Sequence, residues 1–290
     1  MRFLDVKTDY AFKKVFGSVQ SRAILLDFLN ALLNFNGERI TDLEILDPYQ
    51  IPLLQGMKDS YVDVKAVLSN RTRVIIEMQV LNYPGMEKRV LYNAAKSYST
   101  QLVRGQEYDT LEPIIALTIT ADFVMFADLP AYQTCWHVRE QGTGRLYNRD
   151  IELIFIELPK FTKTEAELET ISEKWIYFIK NAGSLEMIPA DLSEPSLIDA
   201  FNIANTAGMS CEELDEQQKR QDFIYMVRGS TKKAMAEGKA IGKEEGEAIG
   251  REKALIQTAR NLLREGMSVA TIAGVTGLPE DEINRLQQEG

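Results

Sequence analysis

Apolar and polar residues alternate with a period of two from position 61 to 80, YVDVKAVLSNRTRVIIEMQV, and predict two strands joined by a polar turn near Asn70. On that reading Val62, Val64, Ala66 and Leu68 share a core face with Val74, Ile76, Met78 and Val80. The opposite face receives Asp63, Lys65 and Val67 from the first strand and Arg73, Ile75, Glu77 and Gln79 from the second. The period changes on either side of this hairpin. Residues 8–16 and 20–34 have helical spacing, with Ala23, Leu26, Leu29, Ala31 and Leu33 among the apolar set and FNG as a stop. Residues 40–54 read as a further strand that Pro48 and Pro52 confine to an edge or break.

Pro84 opens a helix over roughly 84–104, in which Val90, Ala94, Tyr98 and Leu102 recur every fourth residue. Arg89, Tyr92 and Lys96 form a second, polar stripe on it. PIIALTIT at 113–120 is a nearly continuous β-branched run, as a strand covered on both faces requires, and IELIFIEL at 151–158 repeats the signal. From about 160 to 225 the pattern is helical, with Gly183 as a C-cap, and predicts a helical layer or cap on the sheet. The predicted order of helix, strands, helix, strands defines an α/β chain with a core over 1–160, a helical layer over 161–225 and a C-terminal region over 226–290.

In that last region Gly238, Gly242, Gly246 and Gly250 recur every fourth residue. Each costs a helix on the order of 1 kcal/mol relative to alanine, so the segment is either a linker or a self-association helix whose close packing compensates. Residues 254–289 read as three short helices with Ser268 as an N-cap. IAGVTGLPEDEI has the spacing of a helix-turn-helix. The acidic start of the last helix, Glu280, Asp281 and Glu282, favours a small trihelical dimerisation unit instead.

Chemistry enters at the hairpin. Asp63 falls opposite Glu77 or Gln79, which places two carboxylates close together, where each raises the other's pKa unless a cation lies between them. Two explanations stay open. Lys65 and Arg73 neutralise the acids as cross-strand pairs, or a divalent cation held by oxygen ligands does so, as Mg²⁺ or Mn²⁺ favours, which points to phosphodiester hydrolysis.

Composition narrows the alternatives. At 290 residues and 45% apolar content the chain has material for a substantial core. The segment MRFLDVKTDYAFKKVFG lacks a signal-peptide core, and nothing approaches the roughly 18 apolar residues of a membrane span, so a cytoplasmic protein is expected. Cys135 and Cys211 stand 76 positions apart, which excludes zinc ribbons and disulfide scaffolds, and the single histidine, His137, reads as structural. A net charge of −10 argues against broad nonspecific nucleic-acid binding and leaves room for a local basic groove.

Taken together, DVKTDYAFKKVFG at 5–17, GMKDSYVDVKAVL at 56–68, VIIEMQ at 74–79 and EKRVLYNAAKSYSTQL at 87–102 resemble the PD-(D/E)XK nuclease superfamily, and within it the Rpn family of recombination-promoting nucleases and transposases. The resemblance implies a mixed sheet flanked by helices and a Mg²⁺- or Mn²⁺-dependent DNA endonuclease acting in recombination, transposition or phage defence, self-associated through its C-terminal region. It assigns Asp63 and Glu77 as metal ligands. Gln79 stands where the superfamily has lysine, which leaves Lys96 or Lys58 to supply that charge, and Val62 replaces the motif's proline. Arg89, Tyr92, Lys96 and Lys58 are then expected to contact DNA, with Asp9 either a further acid of the site or, as its place favours, an N-terminal helix cap. A catalytically degenerate fold that binds DNA or protein partners without cutting is the alternative.

Overall fold

A computed structural model describes residues 2–35, 37–50 and 60–288. The described residues divide into two compact units, Met1–Ile224 and Tyr225–Gly290.

The first unit is a mixed six-stranded sheet between helical layers. Helices α1 (Asp9–Phe16) and α2 (Arg22–Leu32) precede β1 (Leu43–Leu46), β2 (Tyr49–Gln50), β3 (Ser60–Tyr61), β4 (Val64–Leu68) and β5 (Arg73–Gln79). Then come α3 (Met86–Ser99), β6 (Ile114–Thr120), β7 (Gln133–Trp136), β8 (Ile151–Glu157), α4 (Ile171–Asn181) and α5 (Pro195–Ala204). The sheet order is β1-β4-β5-β6-β8-β7, with β5, β6 and β8 parallel and the outer pairs antiparallel, and β2 and β3 form a separate pair. Pro48 divides the expected 40–54 strand, so that β1 becomes an edge of the main sheet, while 51–54 lie outside the described residues.

One face of the sheet, carrying Val64, Ala66, Leu68, Val74, Ile76 and Met78, packs against α1, α2, α4 and α5 through a core that includes Phe12, Phe16, Phe28, Trp175 and Phe201. The buried stripe of α2 is Ile24, Leu25, Phe28, Leu29 and Leu32, and Ala23 is exposed. The other face packs Ile75, Ala116 and Phe155 against Val90 and Ala94 of α3. Every position of β5 from Val74 to Gln79 is therefore buried. The acids of the hairpin do not lie on a solvated face. Glu77 is enclosed beneath α3, whereas Asp63, where the strand breaks, is half-buried and meets Lys13 of α1.

Three local expectations are corrected. Val62 packs with the α3 side, not with Val64, because the strand breaks at Asp63. The cap of α1 is Thr8, whose Oγ1 accepts from the Ala11 N–H, and Asp9 is the first helical residue, ion-paired with Arg220. Gly183 is not a left-handed C-cap. It lies in a tight turn after α4, where a Cβ would come within 2.8 Å of the Asp5 Cα, so close packing demands the glycine. The edge strand β7 has no counterpart in the sequence reading. It is only four residues long, and its alternation is weak.

α6 (Cys211–Arg264) is one continuous helix that includes Gly238 to Gly250, all four of which have open space where a Cβ would stand. In the second unit its end packs with α7 (Val269–Thr276) and α8 (Glu280–Gln288) around Ala259, Ile272, Ile283 and Leu286. Ser268 caps α7, its hydroxyl accepting from the Thr271 N–H. Among the described residues no helix is long and apolar enough to cross a membrane.

Candidate active site

The site is built around the break in the first strand of the hairpin. β4 pairs with β5 so that Val64 faces Ile76. One residue earlier, Asp63 gives its N–H to the same Ile76 carbonyl (3.0 Å), while Val62 turns away and donates to Pro48 (3.2 Å). This is a bulge. The Met78 N–H loses its backbone partner there, and Asp63 Oδ2 accepts it at 2.7 Å. The carboxylate thus replaces a rung of the ladder and is held at the point where the strands part.

Two helices approach this point with charge. From α1, Lys13 Nζ stands 3.1 Å from Asp63 Oδ1. From α3, Arg89 reaches Glu77 Oε2 at 3.2 Å, and Asn93 Nδ2 donates to Glu77 Oε1 at 2.5 Å. Gln79, two residues along β5 on the same face, donates its amide to Glu77 Oε2 at 2.8 Å. The acids' cations are therefore Lys13 and Arg89, not Lys65 and Arg73.

Burial pushes both carboxyls above the usual carboxylate range. For Asp63, Lys13 and the Met78 N–H oppose that rise while Asp9 adds to it. For Glu77, Arg89, Asn93 and Gln79 oppose it, and the neighbouring Asp63 charge adds to it. Taking these charges out of water is costly unless they are compensated. The carbonyl Oδ1 of Asn93 adds a second unmet demand, being buried beside Glu77 with no hydrogen-bond partner among the described residues. Two carboxylates and an unengaged amide oxygen form an oxygen-only donor set, which fits Mg²⁺ or Mn²⁺.

Beside the acids lies a cleft of about 730 Å³ lined by Ser60, Tyr61, Tyr83, Lys88, Arg89 and Tyr92, among others. Tyr92 is partly exposed in it, and the Arg89 guanidinium packs on Tyr83. Lys96 is buried on the same helix, its ammonium donating to Ser60 Oγ at 3.2 Å and lying 5.9 Å from the Tyr92 ring centre. Lys58 lies outside the described residues. Asp63, Glu77, Gln79 and Arg89 are thus drawn together, with Tyr92 and Lys96 along the cleft.

The sequence reading missed Lys13 and Asn93. Each stands four residues from a polar residue that was noted, Lys13 from Asp9 and Asn93 from Arg89, so each shares a helix face with it. That spacing was the available signal.

A family model described as PD-(D/E)XK nuclease family transposase matches residues 6–228. A second, described as Rpn/YhgA-like nuclease family, C-terminal HTH domain, matches residues 251–288. The second match replaces the preference for a trihelical dimerisation unit: the last three helical segments are a helix-turn-helix domain despite their acidic α8. No curated protein and no solved structure matches.

Proposed function

The chain belongs to the PD-(D/E)XK nuclease family transposases, and from that premise we propose that it is a Mg²⁺- or Mn²⁺-dependent DNA endonuclease whose centre is Asp63 and Glu77. The observation that carries this reading is the pair of desolvated carboxylates beside the unengaged Asn93 oxygen.

When bound there, the cation supplies Lewis-acid polarisation of the scissile phosphate. The remaining work falls to the chain. Gln79 and Asn93 hold Glu77 in one orientation through its two oxygens. The Met78 N–H and the bulge do the same for Asp63. Gln79 also keeps an amide oxygen that can orient a water but cannot supply the charge of a lysine at the phosphorus. Arg89, Tyr92 and Lys96 lie along the cleft where a phosphate backbone would run. The helix-turn-helix domain supplies a second DNA contact. We place the activity in recombination, transposition or phage defence, with self-association through the open glycine row of α6.

One observation favours a second reading. Lys13 and Arg89 already neutralise the acids, and Gln79 is neutral, as in a site that has stopped cutting and only binds. Conversion of supercoiled plasmid to nicked and linear forms with Mg²⁺, Mn²⁺ or EDTA separates the two. The nuclease reading expects metal-dependent cutting that Asp63→Ala and Glu77→Ala both abolish. Absence of cutting in the wild type, or equal cutting in all three, rejects it.

A further inference from the structure

The sequence reading set Cys135 aside because its only fellow cysteine is 76 positions away. Its neighbour in space is His137. Alternation along the edge strand puts positions 135 and 137 on one face, and the antiparallel register pairs Cys135 with Ile154 and Trp136 with Leu153, which brings Glu152 level with His137. Cys135 Sγ lies 3.0 Å from Glu152 Oε1, and His137 Nε2 lies 3.1 Å from Glu152 Oε2. The imidazole nitrogens are 3.7 and 3.8 Å from the sulfur.

These distances can be compared with a metal's requirements. A tetrahedral Zn²⁺ with bonds of about 2.3 Å to sulfur and about 2.0–2.2 Å to nitrogen and oxygen separates its ligand atoms by roughly 3.3–3.6 Å. The three separations here bracket that range, so the donors already stand near the corners of one face of such a tetrahedron. Cys135 is exposed, which leaves the fourth corner to solvent, whereas the side chains of His137 and Glu152 are largely buried. Among the described residues this is the group of three cysteine, histidine or acidic side chains close enough to hold one ion.

We propose that Cys135, His137 and Glu152 form a zinc site, with one thiolate, one imidazole and one carboxylate, that cross-links β7 to β8. It is distinct from the acid pair. Glu77 is level with Phe155 across two strands, and Glu152 lies three residues earlier on β8, so the two sites are on the order of 14 Å apart at ordinary strand spacings. Glu152 also shares the parity of Ile154 and Ile156, which face the α1 side, and so lies on the opposite face from Glu77. Binding breaks the Sγ–H bond, gives the sulfur lone pair to zinc and releases the proton to solvent. The consequence of binding is a pinned edge strand, which is the element of a sheet most in need of restraint.

The test uses the full chain, stripped with EDTA and titrated with Co²⁺. A thiolate ligand produces a sulfur-to-cobalt charge-transfer absorption that the oxygen-only Asp63–Glu77 pair cannot produce. We expect that band in the wild type, in Asp63→Asn and in Cys211→Ser, with displacement by one equivalent of Zn²⁺. It is lost in Cys135→Ser, and His137→Gln weakens binding by more than about tenfold. Should Cys135→Ser fail to fold, thiol titration of Cys211→Ser decides the matter, because Zn²⁺ then shields the single remaining thiol. No band in the wild type at saturating Co²⁺, a band that survives Cys135→Ser, or a thiol equally reactive with and without Zn²⁺ overturns the proposal. Each outcome is independent of whether the chain cuts DNA.

Discussion

Lys13 occupies the position of a resident counter-ion to Asp63, and replacing it with methionine isolates that role, since methionine keeps most of the alkyl stem. At 3.1 Å the attraction between unit charges is about 1.3 kcal/mol in water and about 5 kcal/mol at an effective dielectric of about 20. The Asp63 side chain is 13% exposed and that of Lys13 44%, which places the pair in the lower half of that interval, at about 2 kcal/mol. For a unit the size of Met1–Ile224 this lowers Tm by about 4–8 °C. The penalty is read by thermal melts in EDTA, and the coupling by a double-mutant cycle of Lys13→Met with Asp63→Asn. A divalent ion at the acid pair takes over the neutralisation, so saturating Mn²⁺ should erase most of the difference. Acid should erase it too, because a protonated Asp63 needs no cation. A Tm unchanged in EDTA, a coupling below about 0.5 kcal/mol, or a penalty as large in Mn²⁺ as in EDTA would refute the reasoning.

Because burial raises the Asp63 pKa, its contribution to stability is intact below the unfolded carboxylate value and is lost as pH rises through the folded value. Asp63→Asn is therefore expected to melt higher than wild type in EDTA near neutral pH, with the gap closing as pH falls toward about 4; a lower melting point at neutral pH contradicts this. Arg89→Gln should weaken DNA binding and reduce the salt slope of affinity by about 1 in fluorescence anisotropy measured in EDTA, and an unchanged slope removes Arg89 from the phosphate contacts. Gly242→Ala with Gly246→Ala should stabilise α6 by about 1 kcal/mol per site in an unassociated chain, whereas close helix pairing along that row requires the double variant to lose association in light scattering instead.

Strands β4, β5, β6 and β8 and helix α3 were legible because a chain buries one face at a period of two or of 3.6, and that period is written in residue order. The acid pair was legible for the same reason. Asp63 and Glu77 interrupt runs that are otherwise apolar, and a carboxylate in a core is costly until a partner compensates it. The helix-turn-helix spacing is legible as well, and the acidic first turn of α8, which points away from a nucleic-acid contact, is compatible with that domain.

What periodicity cannot encode is which element covers a face. The sequence placed Lys65 and Arg73 nearest the acids because they are neighbours along the strands, whereas the fold supplies Lys13 and Arg89 from helices on opposite sides of the sheet. The bulge at Asp63 depends on a side chain replacing a backbone partner for Met78, an exchange that leaves no trace in hydrophobic pattern and moves Val62 to the other core. The meeting of Cys135, His137 and Glu152 depends on β7 pairing antiparallel to β8 at the sheet edge, in a register that only the packed sheet sets. Local order therefore determined the elements and the presence of buried charge. Long-range contact decided the partners of that charge, because those contacts join segments whose separation along the chain says nothing of their distance in space.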